Sequence, residues 1–271
     1  MITFPKAKIN FGLRVTGKRN DGYHDIETIF YPVPVCDALE FVVAPDSDGD
    51  ELVVTGLNIG VRNENNLVIK AVKKLREVLP VPFLKIHLHK AIPSGAGLGG
   101  GSSDAAFMLR AVNKYFNFSL DDSLLKSHSL VLGSDCPFFI DPVPSIATGR
   151  GEVLNHVSSF LEGYFILLVN PGIYISTKEA YLNTHPSQQE AGLETLSDSD
   201  PAGWKKFIVN DFENFAFRLY PQISTIKKAL YKSGAVYASM SGSGSTVYGI
   251  YERKPEVPAK LKDFVIYEGV L

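Results

Sequence analysis

The chain has 271 residues, of which 45% are hydrophobic and 21% charged, enough apolar material for one large domain or two modest ones. Its 27 basic and 29 acidic residues leave a formal charge of −2 without a basic run, which argues against a nucleic-acid partner. Two cysteines, Cys36 and Cys136, make neither a disulfide framework nor a zinc cluster, and no stretch reaches bilayer-spanning length, so the expectation is a cytoplasmic protein with no membrane partner.

Residues 5–13 alternate, with Pro5, Ala7, Ile9, Phe11 and Leu13 on one face and Lys6, Lys8 and Asn10 on the other, the period of a half-buried strand. Asp21-Gly22 marks a turn, and 27–35 and 38–44 read as strands, with Pro32 and Pro34 favouring an edge or a break. The spacing of Leu67, Val68, Ala71, Val72 and Leu75 predicts a helix over 66–79, stopped by Pro80 and Pro82. Residues 83–89 alternate as a strand. After a glycine-rich loop, Ala105, Met108, Leu109, Val112 and Phe116 form the stripe of a second helix, and Ser119-Leu-Asp-Asp opens a third.

Residues 164–169 read as a buried strand, 185–203 as a polar exposed loop and 222–232 as a helix. Residues 235–240 and 246–251 are strands around a second glycine-serine turn, followed by a helix near 256–262 and a strand near 264–267. The mixture lacks a strict βαβ repeat, so the fold class is α+β, with a boundary near 155 dividing 1–155 from 156–271.

The most informative stretch is Pro93-Ser94-Gly95-Ala96-Gly97-Leu98-Gly99-Gly100-Gly101-Ser102-Ser103, where five of eleven positions are glycine. A run of backbone N–H groups entering a helix makes an anion site. The P-loop pattern fails because residue 101 is Gly where Lys is needed. Gly95-Ala-Gly97-Leu-Gly99-Gly100 matches a dinucleotide fingerprint, but no second βαβ half follows, and Asp121 and Asp122 open a helix instead of ending a strand. What remains is a triphosphate cradle ending at Ser102 and Ser103, whose hydroxyls could meet phosphate or Mg²⁺; the bland alternative makes one of them a helix N-cap.

Pro93–Ser103, followed by Asp104, resembles the signature loop of the GHMP kinases, named for galactokinase, homoserine kinase, mevalonate kinase and phosphomevalonate kinase. Ala7-Lys8-Ile9-Asn10, Gly133-Ser134-Asp135-Cys136-Pro137 and Ser241-Gly242-Ser243-Gly244-Ser245 are similar to the family's other segments, in order. Lys6 stands where the opening motif usually has Pro, and Ser243 and Ser245 depart mildly from the late one. The resemblance implies a two-domain fold, ribosomal-protein-S5-like at the N-terminus and ferredoxin-like at the C-terminus, with the acceptor in the cleft between domains and ATP and Mg²⁺ as cofactors.

It further implies a catalytic pair, Asp135 as base and Lys8 as cation. Apart from the resemblance, Asp135 reads as a helix N-cap and Lys8 as part of a solvated face. ATP would contact the loop residues Pro93 to Ser103, with Asn65 and Lys90 near the adenine. Asp21-Gly22-Tyr23-His24 resembles the branch of the family that phosphorylates a cytidine diphosphate-linked polyol in non-mevalonate isoprenoid synthesis. There Asn10, Tyr23, His24, Thr177, Tyr181 and Gly242 would hold the acceptor, with Tyr181 sandwiching the cytosine. No protein-held metal site is implied, and the chain would be a monomer or homodimer. A homoserine or sugar kinase, or a non-catalytic ATP-binding protein, is the alternative.

Overall fold

The computed structural model describes residues 1–186, 193 and 201–271. In chain order it runs β1 (Ile2–Thr3), β2 (Lys6–Lys18), β3 (His24–Cys36), β4 (Ala38–Val43), β5 (Glu51–Gly56), a 3₁₀ turn (Asn63–Asn65), α1 (Leu67–Arg76), β6 (Leu84–Lys90), α2 (Gly100–Phe116), α3 (Asp122–Leu130) and a 3₁₀ segment (Cys136–Ile140). Then follow β7 (Ser145–Thr148), β8 (Val153–His156), β9 (Phe165–Val169), α4 (Thr177–Leu182), α5 (Pro201–Phe207), α6 (Glu213–Leu219), α7 (Pro221–Lys232), β10 (Tyr237–Met240), β11 (Val247–Tyr251), a 3₁₀ segment (Ala259–Phe264) and β12 (Val265–Val270). The α+β class holds.

The chain divides into two compact units. Met1–Lys8, Val35–Ser94 and Gly99–Pro142 form the first; Ile9–Pro34, Gly95–Leu98 and Val143–Leu271 form the second. The first contains a four-stranded sheet of order β1-β4-β6-β5, antiparallel except for the parallel β5–β6 pair, with α1 packed on α2. Helix α1 buries Val68, Ile69, Ala71, Val72 and Leu75, and Asn66 caps it by accepting from Val68 N at 2.9 Å. It stops at Arg76 rather than 79; Val78 is exposed, so another turn would bury nothing on that side. Within the Ser119-Leu-Asp-Asp opening, Asp121 caps α3, accepting from Leu124 N at 2.8 Å.

The second unit holds two sheets, β2-β3-β7-β8 and β10-β11-β9-β12. Numbered from β9, the latter has strand order 2-3-1-4, the ferredoxin-like arrangement, and α7 packs on β10 and β11. Phe11 sits edge-on to Trp204 at 5.1 Å and tilted to Tyr237 at 4.7 Å in an aromatic core. Such rings supply large buried area with defined geometry.

Several expectations need correction. Strand β3 runs through both Pro32 and Pro34 without the break, and it is the edge alternative that holds: on its β7 side the ladder covers only Thr28–Phe30 and the prolines lie beyond it. Strand β2 is not half-buried: every residue from Ala7 to Val15 is buried, Lys8 and Asn10 included. Where a helix near 256–262 was expected, a 3₁₀ segment begins at Ala259, since Pro258 drives Val257 out of helical geometry. Of the expected 185–203 loop, residues 201–203 instead open α5, and 187–192 and 194–200 lie outside the described residues. Among the described residues no helix is long and apolar enough to cross a membrane.

Candidate active site

The buried position of Lys8 follows from its strand, and a buried ammonium needs a partner. It finds Asp135: Nζ lies 3.4 Å from Oδ2, with the lysine side chain 4% exposed and the aspartate 33%. Burial pushes the Lys8 ammonium below the usual lysine value, against the opposing pull of Asp135. Asp135 stands at the N-cap of the 136–140 segment, but its carboxylate makes no cap hydrogen bond; it faces Lys8. The capping alternative is thereby set aside.

The end of the glycine loop lies against this pair. Gly99 has φ +70°, and a Cβ there would meet Phe139 at 2.8 Å and Lys8 Cε at 3.2 Å, so only glycine fits. Gly99 is also the N-cap of α2, and no side chain caps that helix. Ser102 and Ser103 therefore lie inside the first turn rather than at the cap. Ser102 is half-buried and hydrogen-bonds the Cys136 thiol, which burial pushes up to about 12. Ser103 is fully buried, and its Oγ has no hydrogen-bond partner among the described residues.

Elsewhere in the loop Ser94, Gly95 and Gly101 are exposed, Pro93 is half-buried, and Ala96, Leu98 and Gly100 are buried. The segment Gly95–Leu98 belongs to the second unit and is held there by the second glycine turn. Ser241 Oγ donates to Gly97 O at 2.7 Å, Thr246 N donates to Ala96 O at 3.3 Å, and a Cβ on Gly97 would sit 1.9 Å from Ser241 O. The second turn is a β10–β11 hairpin, as the plain reading had it, but one fastened to the first loop.

Lys90 is neither an exposed strand end nor free to meet a base. It is sealed in an ionic contact with Asp37 and a second with Asp104 at 2.7 Å. Gly56 is its cross-strand partner, and residues 54–63 line a cavity of about 440 Å³, with Asn65 exposed on the adjoining 3₁₀ turn.

In the second unit His24 and Tyr181 stack with ring centroids 4.9 Å apart and planes 14° from parallel, while Phe212 meets Tyr181 edge-on. No base-sized gap separates the two rings. Tyr23 is exposed beneath the Arg150 guanidinium, 4.9 Å from the ring centroid. Asn10 is buried and donates to Thr28 Oγ1 at 3.0 Å, with its Oδ1 against Gly242. Thr177 is exposed and hydrogen-bonds Ser243 at 2.9 Å. Sequence reasoning missed Asn210, whose amide donates to both Met240 O (2.7 Å) and Gly242 O (2.8 Å), fixing the second turn. It also missed Asp37.

Residues 66–141 match the GHMP kinases N terminal domain and residues 193–266 the GHMP kinases C terminal domain. A Bacteroides thetaiotaomicron protein named 4-diphosphocytidyl-2-C-methyl-D-erythritol kinase is 47% identical over 95% of this chain and 94% of its own length. Its namesake from Parabacteroides distasonis is 46% identical over the full length of both. A crystal structure of 4-(cytidine 5'-diphospho)-2C-methyl-D-erythritol kinase superposes with a TM-score of 0.77 at 29% identity, covering 94% of this chain and 91% of that one. Homoserine kinase from Cytophaga hutchinsonii shares the fold, with a TM-score of 0.64 at 17% identity, covering 92% of this chain and 86% of that one.

Proposed function

The chain belongs to the GHMP kinases, and from that premise we propose that it transfers the γ-phosphoryl group of ATP to the 2-hydroxyl of 4-diphosphocytidyl-2-C-methyl-D-erythritol, releasing ADP. The observation that carries the chemistry is the Lys8–Asp135 pair beside Gly99 at the mouth of α2. Asp135 keeps enough exposure to reach a hydroxyl and takes its proton as the new O–P bond forms and the bond to the β-phosphate oxygen breaks. Lys8 supplies the fixed positive charge that the glycine loop itself lacks.

The uncapped N-terminus of α2 receives phosphate through Gly100, Gly101 and Ser102. Pro93 to Leu98 shape the cradle, and the cavity over 54–63 with Asn65 takes the adenine. Mg²⁺, when bound, neutralises phosphate charge. Among the described residues no three His, Cys, Asp or Glu side chains could hold a metal, so triphosphate oxygens would supply most of its ligands, with Ser102 the candidate protein hydroxyl.

Tyr23, His24 and Tyr181 recognise the cytidine end, and Asn10, Thr177 and Gly242 lie in the acceptor-binding set. A base between His24 and Tyr181 needs a centroid spacing of about 7 Å, two contact distances of ~3.5 Å. His24 therefore moves off Tyr181, which Phe212 supports edge-on. The reaction sits in a cytoplasmic isoprenoid precursor route. Competition by cytidine nucleotides tests the acceptor: CDP should inhibit competitively against the polyol and weaken when His24 is Ala, by roughly 5- to 150-fold for a stacking energy of ~1–3 kcal/mol. Absence of any cytidine inhibition while ATP still binds would overturn this acceptor assignment.

A further inference from the structure

The glycine loop leaves β6 at Lys90 and enters α2 at Gly100. Both ends carry a charge contact to the same ammonium. Asp37 occupies the single position between β3 and β4, and its Oδ1 accepts from the N–H groups of Ala91 (2.6 Å) and Ile92 (2.8 Å), while Oδ2 accepts from Lys90 Nζ. Asp104, in the second turn of α2, accepts from the same Nζ at 2.7 Å. The side chains of Lys90, Asp37 and Asp104 are 3%, 0% and 4% exposed, and Asp104 Oδ1 has no hydrogen-bond partner among the described residues.

Two carboxylates on one ammonium, all out of water, form a costly core. Apolar side chains of similar volume would stabilise as well or better, so stability does not account for the cluster. What the ions do supply is geometry: one point charge sets the separation of two chain segments. Asp37 also uses up the first two N–H donors after β6, so neither is open to a ligand.

We infer that Asp37 and Asp104, acting through Lys90, are positioning residues that hold the two ends of the glycine loop at the spacing that grips the nucleotide triphosphate. The inference rests on the ATP-binding reading of that loop. It assigns Lys90 to the support of the site rather than to contact with the base.

The test uses the full-length protein and measures binding of the non-hydrolysable analogue adenylyl imidodiphosphate with Mg²⁺, the KM for the polyol acceptor, and Tm. At alkaline pH, where the Asp104 carboxyl is ionised, Asp104→Asn, which keeps shape and loses charge, and Asp37→Ala should each weaken analogue binding by about tenfold or more, equivalent to ~1.4 kcal/mol, with the acceptor KM unchanged. Asp104→Leu replaces the second carboxylate by apolar bulk and leaves the Lys90–Asp37 pair intact; it should keep Tm yet weaken analogue binding to the same degree. Wild-type analogue binding in Asp104→Leu or in Asp104→Asn would overturn the inference. Should Asp104→Leu not fold, Asp104→Asn alone decides. A wild-type protein that does not bind the analogue overturns the ATP reading instead, and is distinguishable because no variant is involved.

Discussion

Lys8 and Lys90 each place an ammonium against carboxylate in the first unit, at 3.4 Å from Asp135 in one case and 2.7 Å from Asp104 in the other. The lysines are equally buried. The difference lies in the acids. Asp135 is one-third exposed and can reach a ligand, whereas Asp37 and Asp104 are sealed, Asp37 spending both oxygens inward and Asp104 its Oδ2. A buried charge pair with one open side can handle a proton; a closed one can only hold chain segments in place. Burial of the lysine alone does not tell the two apart.

The contrast breaks first at Asp135. Asp135→Asn should lower kcat by on the order of 10²–10⁴ while leaving adenylyl imidodiphosphate binding intact, checked by steady-state kinetics and calorimetry. Near-wild-type turnover would place proton transfer elsewhere. Lys8→Met should follow with a loss of about 10²–10³ in kcat. Its pH profile sharpens the point: burial lowers the Lys8 value, so the alkaline limb of kcat should fall below the ordinary lysine value of 10.5, and Lys8→Arg should abolish that limb, because a guanidinium stays charged.

The smallest effect concerns the sealed cluster. Burial, with the charge of Asp37 adding to it, pushes the Asp104 carboxyl up to about 7 against the pull of Lys90. Its folded value thus lies above the unfolded 3.8, so the folded state keeps this proton longer than the unfolded chain does. The associated stability is complete below pH 3.8 and is lost as pH rises through about 7. Tm of the wild type should carry this downward component over that window, and Asp104→Asn, which cannot ionise, should flatten it. An unchanged slope in the variant would mean that Asp104 is ionised throughout.

Much of this was legible in the chain. The period-two pattern placed β2, the apolar stripes placed α1 and α2, and the glycine loop with its missing lysine pointed to a cation supplied from elsewhere. Period two could not say that β2 would be covered on both faces, since that depends on what packs against it. Asp37 and Lys90 lie 53 residues apart and carry no shared local signature. One signal was available: Asp104 stands four residues before Met108, on the buried stripe of α2, where a charge demands a partner. Likewise Ser103 reads as a ligand hydroxyl beside Ser102, but helical rotation turns one outward and buries the other.

The sealing of Lys90 has a chemical corollary. An amine that is buried and shared by two carboxylates is shielded from acylating reagents that modify surface lysines freely. Covalent labelling at residue 90 therefore reports opening of the first unit around its phosphate loop, making this side chain an intrinsic clock for local unfolding.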